Sequence, residues 1–395
     1  MKIGIFTDAY EPHISGVTTS INMLKTALEN EGHTVYIVTT NLAEFKFKYD
    51  KENKIIYIPG IKTGILFIRL TNTFSRKAFK IIKSWNLDII HTQTELTMGT
   101  FSHKIAKKLN IPVIHTYHTL YEDYAHYVFK GHFTSIVKKT LIKINKRYFN
   151  KNCDELIVPT TKIKDIFQNK YAITKKINVI PTGIDTKKFA LTKEIQNEVN
   201  KLKKQYNIST NDFIIGAVGR IAKEKSFDKL IKASKKLIND NKNIKLIIIG
   251  DGPELENLKK LSKELGISKN IIFTGKVLYN LIPYYYNLFN IMTSFSTTET
   301  QGLTIIEGLS ASLPIICIED DSFKSMVTNG YNGYLFKTES EFQDLVNKII
   351  KDQKLYKEIS NNAMKSIYKY SKEVFAKNVL KVYENALKRA KDSNK

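Results

Sequence analysis

A chain of 395 residues is too long for one ordinary hydrophobic core, so two domains are expected. Its 42% hydrophobic and 25% charged residues exclude a disordered chain, and two distant cysteines, Cys153 and Cys317, exclude a disulfide framework or a cysteine metal site. A formal net charge of +24 points to an anionic partner: nucleic acid, a phosphorylated substrate or acidic lipid.

The opening "MKIGIFTDAYEP" runs directly into a strand pattern and does not read as a signal peptide. No apolar run approaches the ~18 residues that span a bilayer. Short β-branched runs follow one another: "KIGIFT", "TVYIVTT", "KIIYIP", "LDIIHTQ", "IPVIHTYH", "ELIVPT" and "INVIPTG". Amphipathic stretches separate several of them, as in "GVTTSINMLKTALENEGH" with Ile21, Leu24 and Leu28. This alternation predicts a doubly wound α/β domain over residues 1–185.

Two basic amphipathic segments lie within it. Near 65–83, Arg69, Arg76, Lys80 and Lys83 stand beside Ile65, Leu66, Phe67 and Phe74. Near 133–151, Val137, Leu141, Ile144 and Tyr148 form an apolar stripe opposite Lys139, Lys143, Lys146 and Arg147. Each suits either a crossover helix with a solvated face or an anionic bilayer surface, where each well-placed cation contributes about 1 kcal/mol. Polar, charged residues 186–208 read as a linker. The strand rhythm restarts over 209–371 with "FIIGAVGR", "IKLIIIGDGP", "IIFTGKV", "IMTSFS", "PIICIE" and "GYLF". Residues 372–395 form a basic amphipathic helix, expected to pack back onto the first domain.

Several common nucleotide motifs are missing: no G-x-G-x-x-G follows the first strand, and there is no P-loop and no D-x-D triplet. A diphosphate bound here would rest on protein cations or helix N-termini, with no metal and no tightly bound cofactor. In "GAVGRIAKEKSFDKL", Arg220 and Lys225 follow a strand end, where open α/β sheets bind ligands. A second Gly-rich strand end carries Gly250 and Asp251. Residues 293–317, "TSFSTTETQGLTIIEGLSASLPIIC", contain no lysine or arginine, and their two charges are Glu299 and Glu307. Carboxylates at such a strand–loop–helix turn suit vicinal hydroxyls of a ribose or hexose, which carry no charge.

Glu299-x₇-Glu307 in "ETQGLTIIEGLSASLPII", preceded by "GRIAKEK" and "GDGPE", resembles the retaining GT-B glycosyltransferases of family 4. The likeness runs over essentially the whole chain, including "GIFTDAYEPHISGV" and "HTYHTLYEDY". It implies an α/β GT-B fold, two Rossmann-like domains facing across a cleft, with a UDP-sugar donor held mainly by the second and an acceptor by the first. Carried over by position, Glu299 would contact the donor sugar, Glu307 the ribose, and Arg220 and Lys225 the diphosphate. Lys276 and Val277 would meet the base through their backbone. Gly250, Asp251, Gly302 and Leu303 complete the expected donor site. Gly16 would open a helix whose N-terminus approaches the phosphate; the family usually has two glycines there, and this chain has Ser15-Gly16. His118 would face the donor sugar and join Arg220, Lys225 and Glu299 in catalysis.

"HTQTELTMGTFSHKIAKKLNIPVIHTYHTLYEDYAHY" is similar to the diacylglycerol glucosyltransferases of wall-less and other low-GC Gram-positive bacteria. That likeness implies transfer of a hexose, glucose from UDP-glucose, with retention to the 3-hydroxyl of 1,2-diacylglycerol. Peripheral attachment to the cytoplasmic face of the plasma membrane goes with it. Acceptor-side candidates are Asp8, Glu11, Tyr121, Glu122 and Asp123. Galactosyl-diacylglycerol, phosphatidylinositol mannoside or polysaccharide synthesis remain alternatives, as does a UDP-sugar 2-epimerase of the same architecture. A nucleic-acid partner would explain the charge but leaves the paired glutamates and Gly-rich strand ends unexplained.

Overall fold

Strand and helix alternate along the chain and build two separate sheets. They divide the computed structural model into two units: Met1–Gly183 with Lys372–Lys395, and Ile184–Ser371. Residues 1–13, 15–63, 69–118 and 134–392 are described.

The first unit carries β1 (Lys2–Thr7), β2 (Thr34–Asn41), β3 (Lys48–Asp50), β4 (Ile55–Lys62), β5 (Arg69–Thr71), β6 (Ile89–Thr92), β7 (Val113–Thr116), β8 (Glu155–Val158) and β9 (Lys176–Val179). Their order is β3-β4-β2-β1-β6-β7-β8-β9, with β5 paired to β4. Only β3 and β5 run antiparallel to their neighbour. β1 is buried on both faces, which is why "IGIF" reads as a continuous apolar run rather than an alternation. Its longer helices among the described residues are α1 (Gly16–Asn30), α2 (Arg76–Ser84), α3 (Thr97–Leu109) and α4 (Thr134–Asn152). Ser15 starts α1 by accepting a hydrogen bond from the Thr18 N–H. Ile21, Leu24 and Leu28 then bury one face against β1 and β2. The C-terminal helix (Lys372–Asp392) joins the same core through Phe375, Val379, Val382 and Tyr383. Each such buried side chain contributes about 1.5–3 kcal/mol.

The second unit carries α5 (Lys193–Gln205), β10 (Phe213–Val218), α6 (Phe227–Asp240), β11 (Ile244–Ile249), α7 (Leu255–Glu264), β12 (Ile271–Gly275), α8 (Ile282–Tyr286), β13 (Ile291–Ser294), α9 (Leu303–Ser310), β14 (Ile315–Ile318), α10 (Asp321–Lys324), β15 (Gly333–Phe336), α11 (Glu339–Lys351) and α12 (Gln353–Ser366). All six strands are parallel, in the order β12-β11-β10-β13-β14-β15. Both sheets are thus doubly wound, reversing direction between β1 and β6 in one and between β10 and β13 in the other. Ligands bind at such switch points, outside the carboxyl ends of the strands.

Three sequence expectations change. Residues 186–208 are no linker: Phe189, Ile195 and Val199 are buried in the second unit's core, which begins at Ile184. The stretch reads as polar because α5 buries only two of its thirteen side chains, Ile195 and Val199. The segment near 65–83 is not one amphipathic element: β5 occupies Arg69–Thr71 and α2 begins at Arg76, while 64–68 lie outside the described residues. In α4 the buried face runs through Asn145 and Phe149 with Ile142 beside it, and Ile144 is 55% exposed among Lys143, Lys146 and Arg147. The side chains of Val137 and Leu141 lie outside the described residues.

Candidate active site

In the second unit the glycines let three strand ends converge. A Cβ on Gly250 would lie 1.9 Å from the carbonyl oxygen of Gly219, and Gly250 has φ +142°. Only glycine permits both. The Ile221 N–H donates to the Asp251 carbonyl (3.0 Å) and the Glu254 N–H to that of Ile221 (3.2 Å), tying the two turns together. This knot presents Arg220, exposed, and Asp251, whose carboxylate accepts from the Gly252 N–H at 2.7 Å. Lys276 is exposed just past β12, and Val277 tucks partly into the core.

Across the switch point Lys225 and Glu299 meet. Lys225 Nζ donates to Glu299 Oε1 at 2.5 Å, with 23% and 17% of the two side chains exposed. A charge-assisted contact that short and that sheltered is stronger than a surface pair. Ser322 Oγ donates to the Glu299 carbonyl at 2.5 Å, which anchors the loop to α10. Gly302 opens α9 with φ +84°, and a Cβ there would strike the Phe323 ring at 2.7 Å. Leu303 is the first residue of α9.

Glu307 lies on the buried side of α9. Its Oε2 accepts from the Tyr286 hydroxyl at 2.7 Å, and Tyr279 donates to the same carboxyl. Burial pushes this carboxyl up to about 7, against the lowering effect of the two tyrosines. Burial also drives the Tyr286 hydroxyl well above its ordinary value, so both phenols stay protonated as donors.

The first unit places Asp8 at its own switch point. Asp8 Oδ2 accepts from the Thr94 hydroxyl (2.6 Å), and Oδ1 accepts from the Thr97 hydroxyl (2.7 Å) and the Met98 N–H (3.0 Å). The carboxylate therefore sits at the start of α3, where the helix exposes unpaired N–H groups. Burial raises its pKa, opposed by these same three hydrogen bonds. Glu11 accepts from Asn22 Nδ2 at 2.7 Å. Gly16 is the first residue of α1.

His118 follows β7, and its Nε2 lies 2.7 Å from Gln93 Oε1. Burial, reinforced by His115, lowers His118 to about 3, so its imidazole is neutral at physiological pH. His91 and His115 are fully buried and hydrogen-bonded, to Tyr383 and Thr116 and to Thr92 and Glu95 respectively. Tyr121, Glu122 and Asp123 lie outside the described residues. Among the described residues no three His, Cys, Asp or Glu side chains gather as a metal ligand set.

Residues 14–188 match the family described as Glycosyltransferase Family 4, and 198–366 that described as Glycosyl transferases group 1. The chain is 38% identical over 390 residues to an alpha-monoglucosyldiacylglycerol synthase of Acholeplasma laidlawii, covering 97% of this chain and 96% of that one. It is 34% identical to the Streptococcus pneumoniae protein of the same name, over 98% and 86%. The chain belongs to glycosyltransferase family 4. Its GT-B fold is shared with Anabaena HepE, solved in complex with UDP-glucose, at a TM-score of 0.76 and 16% identity over 98% of this chain and 100% of that one. A sucrose-phosphate synthase from Thermosynechococcus elongatus aligns at 0.75, with 17% identity over 97% and 98%.

Read as a glycosyltransferase, the chain has site partners that sequence reasoning missed. Tyr279 and Tyr286 hold Glu307, Ser322 fixes the Glu299 loop, and Gln93 orients His118. The run "PYYYN" was the available signal, but only packing shows which buried tyrosine reaches Glu307: Tyr286 donates to it, while Tyr285 pairs with Tyr206.

Proposed function

We propose that this glycosyltransferase transfers glucose from UDP-glucose, with retention of configuration, to the 3-hydroxyl of 1,2-diacylglycerol. The observation that carries the reading is the nearly full-length identity, 38% and 34%, to two synthases named for that glycolipid. The acceptor hydroxyl oxygen attacks the anomeric carbon on the face from which UDP departs. The bond from that carbon to the β-phosphate oxygen breaks, and the hydroxyl proton leaves with UDP. Arg220 and Lys225 offset charge growing on the departing diphosphate, an electrostatic contribution that mutagenesis elsewhere values at about 3–4 kcal/mol per donor. Before donor arrives, the Lys225–Glu299 pair neutralises both groups; the diphosphate then competes for Lys225, and Glu299 turns to the sugar hydroxyls. Neutral His118, oriented by Gln93, accepts or donates a hydrogen bond to the sugar without placing a cation there.

Gly16, Gly250, Asp251, Lys276, Val277, Gly302, Leu303 and Glu307 complete the proposed donor site, with Asp8 and Glu11 on the acceptor side. No metal or bound cofactor takes part. The enzyme attaches peripherally to an anionic membrane surface at the cytoplasmic face of the plasma membrane. Supporting this are the exposed Arg76, Lys80 and Lys83 of α2, and Lys139, Lys143, Lys146 and Arg147 around Ile144 on α4. Among the described residues no helix is long and apolar enough to cross a membrane.

Incubation with UDP-glucose, UDP-galactose or GDP-mannose and diacylglycerol in anionic-lipid micelles tests the reading. Monoglucosyldiacylglycerol from UDP-glucose is expected. Another sugar or acceptor moves the chain elsewhere within the family, and free epimer without acceptor contradicts the transferase reading.

A further inference from the structure

The first unit holds a second polar cavity, of about 710 Å³, away from the strand ends described above. It opens at the amino ends of β7, β8 and β9, beside Val113, Asp154 and Lys175. The length of β7, four residues at ~3.3 Å each, separates it from His118 at the other end of the same strand. The carboxyl ends of α3 and α4 and the C-terminal helix form its walls.

Four cations line it: Lys107, Lys151, Lys175 and Arg389. Arg389 is paired with the fully buried Glu155. The one acid in the lining, Asp154, has Oδ2 committed to the Val113 N–H at 2.7 Å. Lys107, Lys151 and Lys175 have no ion-pair partner among the described residues. Three lysines against the single Asp154 carboxylate leave this concave site net positive, which raises the local concentration of anions. Asn110 and Asn152 add neutral donors at the rim. The floor is apolar, formed by Ile111, Pro112, Val113 and Ala386. An inorganic ion would leave that floor wet, whereas an anion with an organic body would cover it, and the volume falls within the range of small-molecule sites, roughly 300–1,000 Å³.

We propose that this cavity binds an organic phosphate, its anion held by Lys107, Lys151 and Lys175 and its organic part laid on Ile111, Pro112 and Ala386. The site is separate from donor and acceptor binding and does not rest on the identity of either. A soluble phosphomonoester and a phospholipid headgroup share this chemistry.

Calorimetric titration of the full chain with glycerol 3-phosphate, and separately with monomeric dihexanoylphosphatidylglycerol, separates the two sources. The same titrations are run on Lys151→Gln/Lys175→Gln and on Lys107→Gln/Lys151→Gln. All three lysines are surface side chains without ion-pair partners among the described residues, and retained UDP binding reports that the variants are folded. Binding of either probe that weakens about tenfold or more in both variants supports the site. Tighter binding of the monoester assigns a free phosphate, and tighter binding of the lipid assigns a headgroup. Failure of both probes to bind, or binding that ignores the substitutions, overturns the proposal and leaves the lysines to offset the carboxyl ends of α3 and α4.

Discussion

The two switch points are built alike, but their carboxylates are held differently. In each sheet a carboxylate stands where the strand order reverses: Asp8 in the first unit, Glu299 in the second. Asp8 accepts three hydrogen bonds from Thr94, Thr97 and Met98, all groups that position α3. Glu299 is held by Lys225, the side chain proposed to meet the donor's diphosphate. One carboxylate is built into the fold by fixed hydroxyls and a backbone N–H; the other is held by a lysine that, in the proposed mechanism, the diphosphate draws away. On the proposed mechanism the same architecture yields a tightly anchored acid in one half and an exchangeable one in the other.

Substitutions can break or sharpen that contrast. The largest effect is expected at the second switch point: Arg220→Ala or Lys225→Ala should lower kcat by about 10²–10³-fold with little change in melting temperature. Equal loss of stability and activity would place these cations in the fold instead. Next, Asp8→Asn should destabilise the chain by about 2–3 kcal/mol, read as a lowered midpoint in urea, because an amide cannot accept all three bonds. A variant as stable as the parent would contradict that anchoring role and leave Asp8 only its proposed place on the acceptor side.

Glu307 gives a smaller, pH-dependent effect. Its folded pKa, about 7, lies above the ordinary 4.5, so the folded state holds the proton more tightly than the unfolded chain. Stability is lost as pH rises between those values, by about 3 kcal/mol at most. Glu307→Gln should therefore melt higher than the parent at pH 8, and the gap should close toward pH 5. If the ionised carboxylate holds the ribose, the parent's affinity for UDP-glucose should fall as pH drops below about 7, while that of Glu307→Gln stays flat and weak. The smallest effect is none: EDTA should leave turnover unchanged, and restoration of lost activity by Mg²⁺ or Mn²⁺ would contradict metal-free transfer.

The doubly wound sheets were legible because parallel strands buried on both faces leave unmistakable apolar runs, as in "KLIIIG" and "KIGIF". The glycines at 219 and 250 were legible as strand ends, though not the contact between them. Three features were hidden for physical reasons. A charged helix with two anchors, α5, is indistinguishable from a polar linker until Ile195 and Val199 find a core. In α4, 3.6-residue periodicity supports stripes through Ile144 and Tyr148 or through Asn145 and Phe149, and packing chose the latter despite its asparagine. Glu307 reads as a hydroxyl-binding acid from spacing alone, but its burial beneath Tyr279 and Tyr286 depends on α8, about twenty residues away.

The most direct test of the contrast is calorimetric titration of UDP-glucose into the parent chain, Lys225→Ala and Asp8→Asn under conditions where all three are folded. The account predicts that affinity falls at least tenfold in Lys225→Ala and is retained in Asp8→Asn. Retained affinity in Lys225→Ala, with loss in Asp8→Asn, would place donor recognition at the other switch point and contradict it.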